Sequence, residues 1–161
     1  MVTAKPCPNL TNDIEALLSK IGPAQKKAEV TEMRDMVLIA DRKFNLSEIK
    51  DRINPGDFEI TTAGDRISIQ DVSTRNFVQI ERDDNIALYY DDEEDDVFKS
   101  SISDPAYYIV NFQDIDLLKR ILEMALDRPD VFLDNDFGLI QTGQQFVLTL
   151  DRQPKWDWAM G

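Results

Sequence analysis

The chain has 161 residues, of which 31 are acidic and 18 are basic, so its formal net charge is −13 at pH 7. A field of this sign repels the phosphates of nucleic acids and anionic lipids and attracts basic proteins, so we expect neither nucleic acid nor membrane as a partner. The chain also lacks histidine, the side chain that most often moves protons near neutral pH, and this favours a binding protein over an enzyme.

Cysteine content and hydropathy limit the compartment. Cys7 is the single cysteine, so the chain has no internal disulfide and, without histidine, no zinc site of cysteine and histidine ligands. Residues 1–20 lack a signal-peptide pattern, and no window approaches the ~18–20 apolar residues of a membrane span. We therefore expect a cytoplasmic protein without a cofactor. One domain over residues 1–161 fits the length, with residues 1–10 irregular.

The N-terminal part predicts two helices and a buried strand. Asn12 with Glu15, and Asn45 with Glu48, have the spacing at which side chains satisfy the free amides of a helix start. Between these two helix starts, residues 36–40 form a short apolar run that is typical of a buried strand.

From residue 58 onwards, apolar residues recur at every second position, which is the spacing typical of strands. Apolar and polar residues alternate over four stretches with turn residues between them, at 58–62, 67–70, 78–81 and 86–90. This pattern predicts an antiparallel meander with one wet face.

An acidic run follows the meander directly. It consists of Asp91, Asp92, Glu93, Glu94, Asp95 and Asp96. Adjacent carboxylates repel one another, so we expect the run outside the core, and residues 97–106 to be loop. The run is either a solvated loop or a docking surface for a cationic partner, in which Tyr89 and Tyr90 supply aromatic anchors. Loose binding of divalent cations is a third interpretation, but hard cations need convergent oxygens.

The C-terminal half adds strands and the most regular helix of the chain. Residues 107–112, 131–133 and 146–150 read as strands, and Asp114 is a suitable cap for a helix over residues 115–127. Together the elements predict an α+β fold. We expect a mostly antiparallel sheet with a central meander and about three helices packed on one face.

Two further segments carry chemistry. Residues 134–138 (Asp-Asn-Asp-Phe-Gly) offer two carboxylates and an amide that could ligate a cation, but a calcium loop would need a glutamate where Gln145 stands. A tight turn held by Asx side-chain bonds is the alternative. Trp156 and Trp158 either cover an edge of the core or anchor a partner.

Residues 107–150 resemble small acidic bacterial proteins of the toxin–immunity type. The resemblance rests on the stretch from Tyr107 to Val110, a long helix, the stretch from Pro129 to Gly138, and Phe146-Val147 after a turn glycine. It implies a non-enzymatic protein that binds a cognate toxin and blocks it.

Our leading hypothesis is therefore an acidic module that binds a basic protein through Tyr89, Tyr90 and the carboxylates from Asp91 to Asp96. A hydrolase that uses carboxylates and a divalent metal is the first alternative, and a structural or adaptor subunit is the second. The sequence leaves the partner's identity and the oligomeric state open.

Overall fold

The computed structural model describes residues 32–158 of the chain. The chain divides into two units, residues 1–31 and 32–161, and every element below belongs to the second unit. The predicted helix near Asn12, the predicted irregular segment and Cys7 lie outside the described residues. The expectation of one domain stays a prediction.

Within residues 32–158, seven antiparallel strands form one sheet in the order β2-β3-β4-β5-β1-β6-β7. The strands are β1 (Arg34–Asp41), β2 (Phe58–Ala63), β3 (Arg66–Asp71), β4 (Phe77–Arg82), β5 (Pro105–Phe112), β6 (Val131–Asp134) and β7 (Ile140–Thr142). The predicted strands at 36–40, 107–112 and 131–133 are confirmed as β1, β5 and β6. The first three strands of the predicted meander are confirmed as β2, β3 and β4.

The helices complete the predicted α+β class, which is confirmed. They are α1 (Ser47–Arg52), a 3-10 helix (Asp84–Tyr89), α2 (Asp92–Lys99), α3 (Ile115–Ile121) with a π-helical continuation (Leu122–Leu126), and α4 (Gly143–Arg152). Two predicted helix starts are found. Asn45 Oδ1 accepts a hydrogen bond from the Ser47 amide at 2.9 Å, and Asp114 Oδ1 accepts one from the Asp116 amide at 2.9 Å. Among the described residues, no helix combines the length and the apolar character that crossing a membrane requires.

The first face of the sheet carries the larger core. Helices α1, α3 and α4 cover it, and Leu38 and Val110 of the sheet pack there with Ile49, Leu118 and Phe146 of the helices. Successive side chains of a strand point to opposite faces, so the neighbours of Leu38 and Val110 along β1 and β5 point to the second face.

The second face is covered over only part of its width, whereas α1, α3 and α4 on the first face match the expectation of about three helices packed on one face. Ile39, Tyr107 and Phe132 form a smaller core with Ile86 of the 3-10 helix and Phe98 of α2. Over β2 to β4 this face is polar and open, as expected of a meander with one wet face. A groove there is lined by five polar side chains and one aromatic ring, namely Glu59, Thr61, Ser68, Gln70, Gln79 and Phe77.

The predicted fourth meander strand, residues 86–90, is wrong. Residues 86–89 lie in the 3-10 helix and Tyr90 follows its end; the helix begins where Asp83 Oδ1 accepts a hydrogen bond from the Asn85 amide at 3.0 Å. Ile86 and Tyr90 are four residues apart, a spacing that also fits one face of a helix, and both contact the smaller core. The strand beside β4 is β5 instead.

The expectation of loop for the acidic run and for residues 97–106 is wrong over α2. Asp91 Oδ1 accepts a hydrogen bond from the Glu94 amide at 2.9 Å, and the Glu94 carboxylate accepts one from the Asp91 amide at 3.2 Å. This reciprocal cap starts a helix, and the helix dipole stabilises carboxylates in the first turn. Phe98, fully buried, fixes the helix to the smaller core.

The predicted strand at 146–150 is also wrong, because these residues lie in α4. Thr142 and Gln145 form a second reciprocal cap. The Thr142 hydroxyl accepts a hydrogen bond from the Gln145 amide at 3.1 Å, and the Gln145 side chain accepts one from the Thr142 amide at 2.9 Å. Phe146 and Leu150 are then one helical turn apart on the buried side, a spacing that the continuous apolar run concealed.

The tryptophan-bearing tail covers an edge of the larger core, the first of its two predicted roles. Trp158 is 1% exposed, and its ring centroid lies 5.0 Å from that of Phe146. Asn135 Nδ2 donates a hydrogen bond to the Trp158 carbonyl at 2.7 Å. The tail thereby contacts the turn that follows β6.

Candidate functional site

The predicted contact residues lie in the connection between β4 and β5, residues 83–104. This β4–β5 connection leaves one strand and returns to its neighbour, and in between it crosses the second face of the sheet. Arg42 ties its two ends together, with ion pairs to Asp84 at 3.4 Å and to Asp104 at 3.0 Å. The connection is therefore a long segment between adjacent strands whose two ends are held together by Arg42.

The six carboxylates of the run have different tasks within this connection. Asp91 and Glu94 form the cap of α2, and Asp95 forms an ion pair with Lys99 one turn later. The other three are exposed and make no side-chain hydrogen bond or ion pair with any described residue; they are Asp92, Glu93 and Asp96. Half of the run is thus committed to the helix, and half is available to a partner.

The two tyrosines differ as well. Tyr90 is half-buried, with its ring centroid 5.6 Å from that of Phe98 and 5.5 Å from that of Tyr107. Its hydroxyl donates a hydrogen bond to Asp134 Oδ2 at 2.6 Å. Burial and the Asp134 carboxylate raise the pKa of Tyr90 well above its usual range, so the hydroxyl keeps its proton. Tyr89, by contrast, is 84% exposed.

The turn at residues 134–138 is held by Asx bonds, the second of its two predicted roles. Asp134 Oδ1 accepts a hydrogen bond from the Asp136 amide at 2.8 Å, and Asn135 Oδ1 accepts one from the Phe137 amide at 3.0 Å. Asp136 has φ of 61°, in the left-handed region that aspartate tolerates better than most residues. The turn therefore presents both aspartates at the end of β6.

A cleft of about 370 Å³ lies where this turn meets the β4–β5 connection, and we call it the acidic cleft. Four carboxylates line it, and no lining residue is basic; the carboxylates are Asp35, Glu94, Asp134 and Asp136. The remaining lining is apolar or aromatic, and it consists of Met36, Val37, Ile86, Tyr89, Tyr90 and Ile109. The structure thus brings together the two segments that the sequence marked separately.

Asp134 is the most unusual of the four carboxylates. It is 8% exposed, yet it forms no ion pair with any described residue. Asp71, the other buried aspartate among residues 32–158, is 3% exposed and pairs with Arg120 at 2.7 Å. A buried carboxylate is ordinarily paired with a cation or coordinated to one, so the Asp134 side of the cleft has uncompensated negative charge.

Two large apolar side chains that are adjacent in sequence to lining residues of the cleft are exposed. Leu88, next to Tyr89, is 83% exposed, and Phe137, between two turn residues beside the cleft, is 63% exposed. Exposed aromatic and aliphatic groups at the rim of a concave site are typical of contact surfaces for other molecules. The acidic cleft thus has carboxylates in its lining and exposed apolar side chains next in sequence to that lining.

The sequence made the turn aspartates candidate ligands for a cation. Over the part of the chain that the structure describes, no group of three or more Asp, Glu, Cys or His side chains could hold a metal ion. The metal-dependent hydrolase considered from the sequence stays a prediction.

Several residues of the cleft have no signal in the sequence. Asp35 and Val37 belong to β1 and Ile109 to β5, and they reach the cleft because β1 pairs with β5 on one side and β6 on the other. Val37 lies directly opposite both Ile109 and Asp134. Only the strand register brings these residues together.

Comparison with protein-family models, with curated proteins and with solved structures finds no match for this chain. The resemblance of residues 107–150 to immunity-type proteins therefore stays a prediction. The geometry of the acidic cleft is the main basis for assigning a function.

Proposed function

We propose that this chain is a non-enzymatic protein-binding module whose partner is a basic protein. The observation that carries the proposal is the acidic cleft, which places four carboxylates and no basic group beside exposed aromatic side chains. Charge of one sign in a concave site attracts the opposite charge, and aromatic side chains are enriched among the few residues that carry most of the binding energy in protein interfaces.

Two parts of this surface have different tasks in the proposed mechanism. Asp92, Glu93 and Asp96, exposed on α2, attract the basic partner and raise the association rate. Tyr89 at the rim of the cleft is buried on binding and slows dissociation. In the form that the resemblance implies, the partner is a bacterial toxin and the two proteins meet in the cytoplasm.

The test begins with capture of binding proteins on the immobilised full chain at low salt, followed by purification of the basic ones. Stopped-flow mixing then compares wild type with a variant in which the three exposed carboxylates of α2 are neutralised, Asp92→Asn, Glu93→Gln and Asp96→Asn. We expect association about tenfold slower at low salt and a flatter salt dependence, because steering depends on these charges.

A matched control removes three exposed carboxylates elsewhere, Asp51→Asn, Asp127→Asn and Asp151→Asn, which lie in or next to elements of the first face. This control changes the net charge equally, so it should slow association far less. Equal slowing by the two variants would show that net charge alone attracts the partner, and the proposed surface would then be wrong. Tyr89→Ala should leave association nearly unchanged and speed dissociation.

A further inference from the structure

We propose that the acidic cleft receives one arginine side chain of the protein partner, with Asp134 as the main acceptor of its guanidinium group. This inference rests on the proposed function and names the chemistry by which the site recognises its partner.

The charge of Asp134 is the first step of the argument. The residue is 8% exposed, and its carboxylate accepts hydrogen bonds from two donors but pairs with no cation among the described residues. A carboxylate offers about four acceptor positions, so the bonds from Tyr90 and from the Asp136 amide leave room for further donors. A cation that enters the cleft compensates a charge that the fold leaves unpaired.

The size and lining of the cleft select the kind of cation. Its volume of about 370 Å³ is near the lower end of the range of ligand sites, about 300–1,000 Å³, which suits one long side chain better than a larger ligand. Val37, Ile86 and Ile109 give apolar contact for the methylene stem of such a side chain. A bare metal ion would make no use of this apolar surface.

The arrangement of acceptors favours guanidinium over ammonium. Asp35, Glu94, Asp134 and Asp136 come from three separate parts of the fold, the start of β1, the first turn of α2 and the turn after β6. A guanidinium group has five donors in one plane and can bond to more than one of them, whereas an ammonium group acts as a point charge. The aromatic rings of Tyr89 and Tyr90 in the lining also favour a planar cation.

The test uses the isotope-labelled full chain and Nα-acetyl-arginine amide as the probe, followed by NMR chemical shifts. We expect saturable shifts, in the millimolar range of affinity, that map to residues 35–37, 86–90 and 134–136. Nα-acetyl-citrulline amide, which is neutral and nearly the same shape, should bind at least tenfold more weakly. Nα-acetyl-lysine amide should bind several-fold more weakly.

Variants test the assigned acceptor. Asp134→Asn should weaken binding of the arginine probe at least tenfold, while Asp151→Asn, exposed on α4, should leave it unchanged. If Asp134→Asn does not fold, the variants Asp136→Asn and Asp35→Asn replace it in the binding measurement. Each is expected to weaken binding of the arginine probe several-fold. Asparagine also tolerates the left-handed backbone that residue 136 adopts.

Four results would overturn the inference. The first is that the citrulline or lysine probe binds as tightly as the arginine probe. The second is that the chemical-shift changes map away from the cleft. The third is that the Asp134→Asn and Asp151→Asn variants bind the arginine probe equally well. Tighter binding of putrescine than of the arginine probe would also overturn it, since the site would then serve a free polyamine. None of these results depends on the protein partner, so an arginine site can fail while steering by α2 still holds.

Discussion

Tyr90 packs against the rings of Phe98 and Tyr107, and its hydroxyl donates a hydrogen bond to Asp134 Oδ2 at 2.6 Å. The two bonded residues are far apart in sequence, in the β4–β5 connection and at the end of β6. One hydrogen bond therefore joins the two sides of the acidic cleft, and it also satisfies one oxygen of a buried carboxylate.

Removal of this hydroxyl should destabilise the fold. Tyr90→Phe leaves the Asp134 carboxylate with one donor fewer in a buried place, so we expect the free energy of unfolding to fall by about 1–3 kcal/mol. Urea denaturation measures the change. Tyr89→Phe is the matched control, because Tyr89 is 84% exposed and its change should stay within about 0.5 kcal/mol. Equal effects in the two variants would contradict the role given to the Tyr90 hydroxyl.

Asp71 is the buried carboxylate that the fold does compensate. It accepts hydrogen bonds from the Ser73 hydroxyl and the Thr74 amide, and Arg120 lies 2.7 Å away. These bonds, the Ser73 hydroxyl first, hold the pKa of Asp71 well below its usual range.

The lowered pKa of Asp71 predicts a pH dependence. Because the folded-state pKa lies below the unfolded one, the stabilisation is complete above the unfolded value of about 3.9 and is lost as the pH falls towards the folded-state value. Asp71→Asn should therefore lower the urea midpoint at pH 7, and the difference from wild type should shrink below about pH 4. The exposed Asp151→Asn should show no such trend. A difference for Asp71→Asn that stays constant down to pH 3 would refute the assignment.

At the scale of elements, α2 shows how a run of like charges becomes a helix. The Asp91 carboxylate accepts hydrogen bonds from two amides of the first turn, and the Glu94 carboxylate accepts one from the Asp91 amide. Near the other end, Lys99 pairs with Asp95, and Phe98 packs under the helix. The carboxylates thus lie at the end of the helix where the dipole favours them.

The cap and the charge of Asp91 can be separated by two substitutions. Asp91→Ala removes both, and we expect it to lower the free energy of unfolding by about 1 kcal/mol. Asp91→Asn removes only the charge and keeps a good cap, so it should lower the free energy of unfolding by only a few tenths of a kcal/mol. Urea denaturation, with hydrogen exchange of the α2 amides, distinguishes the two. A similar loss for both variants would mean that charge, and not capping, holds the start of this helix.

The elements also show what the sequence could predict. The predictions from the apolar runs of β1, β5 and β6 and from the stripe of α3 were correct, and each of these elements lies against a core. The errors at 86–90 and 146–150 arose where an apolar run fits a strand and a helix equally well. The spacing of Asp91 with Glu94, and of Thr142 with Gln145, was the signal that would have favoured helices.

The candidate site was predictable only in part. Tyr89 and the turn aspartates were marked because their local patterns are unusual for residues of a core. That they meet, and that Asp35 joins them, depends on the pairing of β1 with β6, and no local pattern encodes such a pairing.

At the scale of the whole molecule, the excess of acid works against the compact state. The formal net charge is −13, and like charges brought close by folding repel one another. Ion pairs such as Arg128 with Glu48, at 2.8 Å, offset this locally. The balance over the whole chain remains repulsive.

Salt should therefore stabilise this protein. Raising sodium chloride from low concentration to about 0.5 M reduces the screening length to a few ångströms, and we expect the melting temperature to rise by a few degrees. The control with Asp51, Asp127 and Asp151 neutralised should show a smaller rise. A melting temperature that falls with salt would mean that ion pairs outweigh the repulsion.

Arg42, which pairs with both ends of the β4–β5 connection, has one more consequence. The chain leaves and rejoins adjacent strands, and this side chain closes the gap between exit and return. Within that frame the enclosed residues can change in length and sequence during evolution without altering the ladder of the sheet, provided that an apolar anchor such as Phe98 remains. Related proteins would then share a scaffold while diverging in what they recognise.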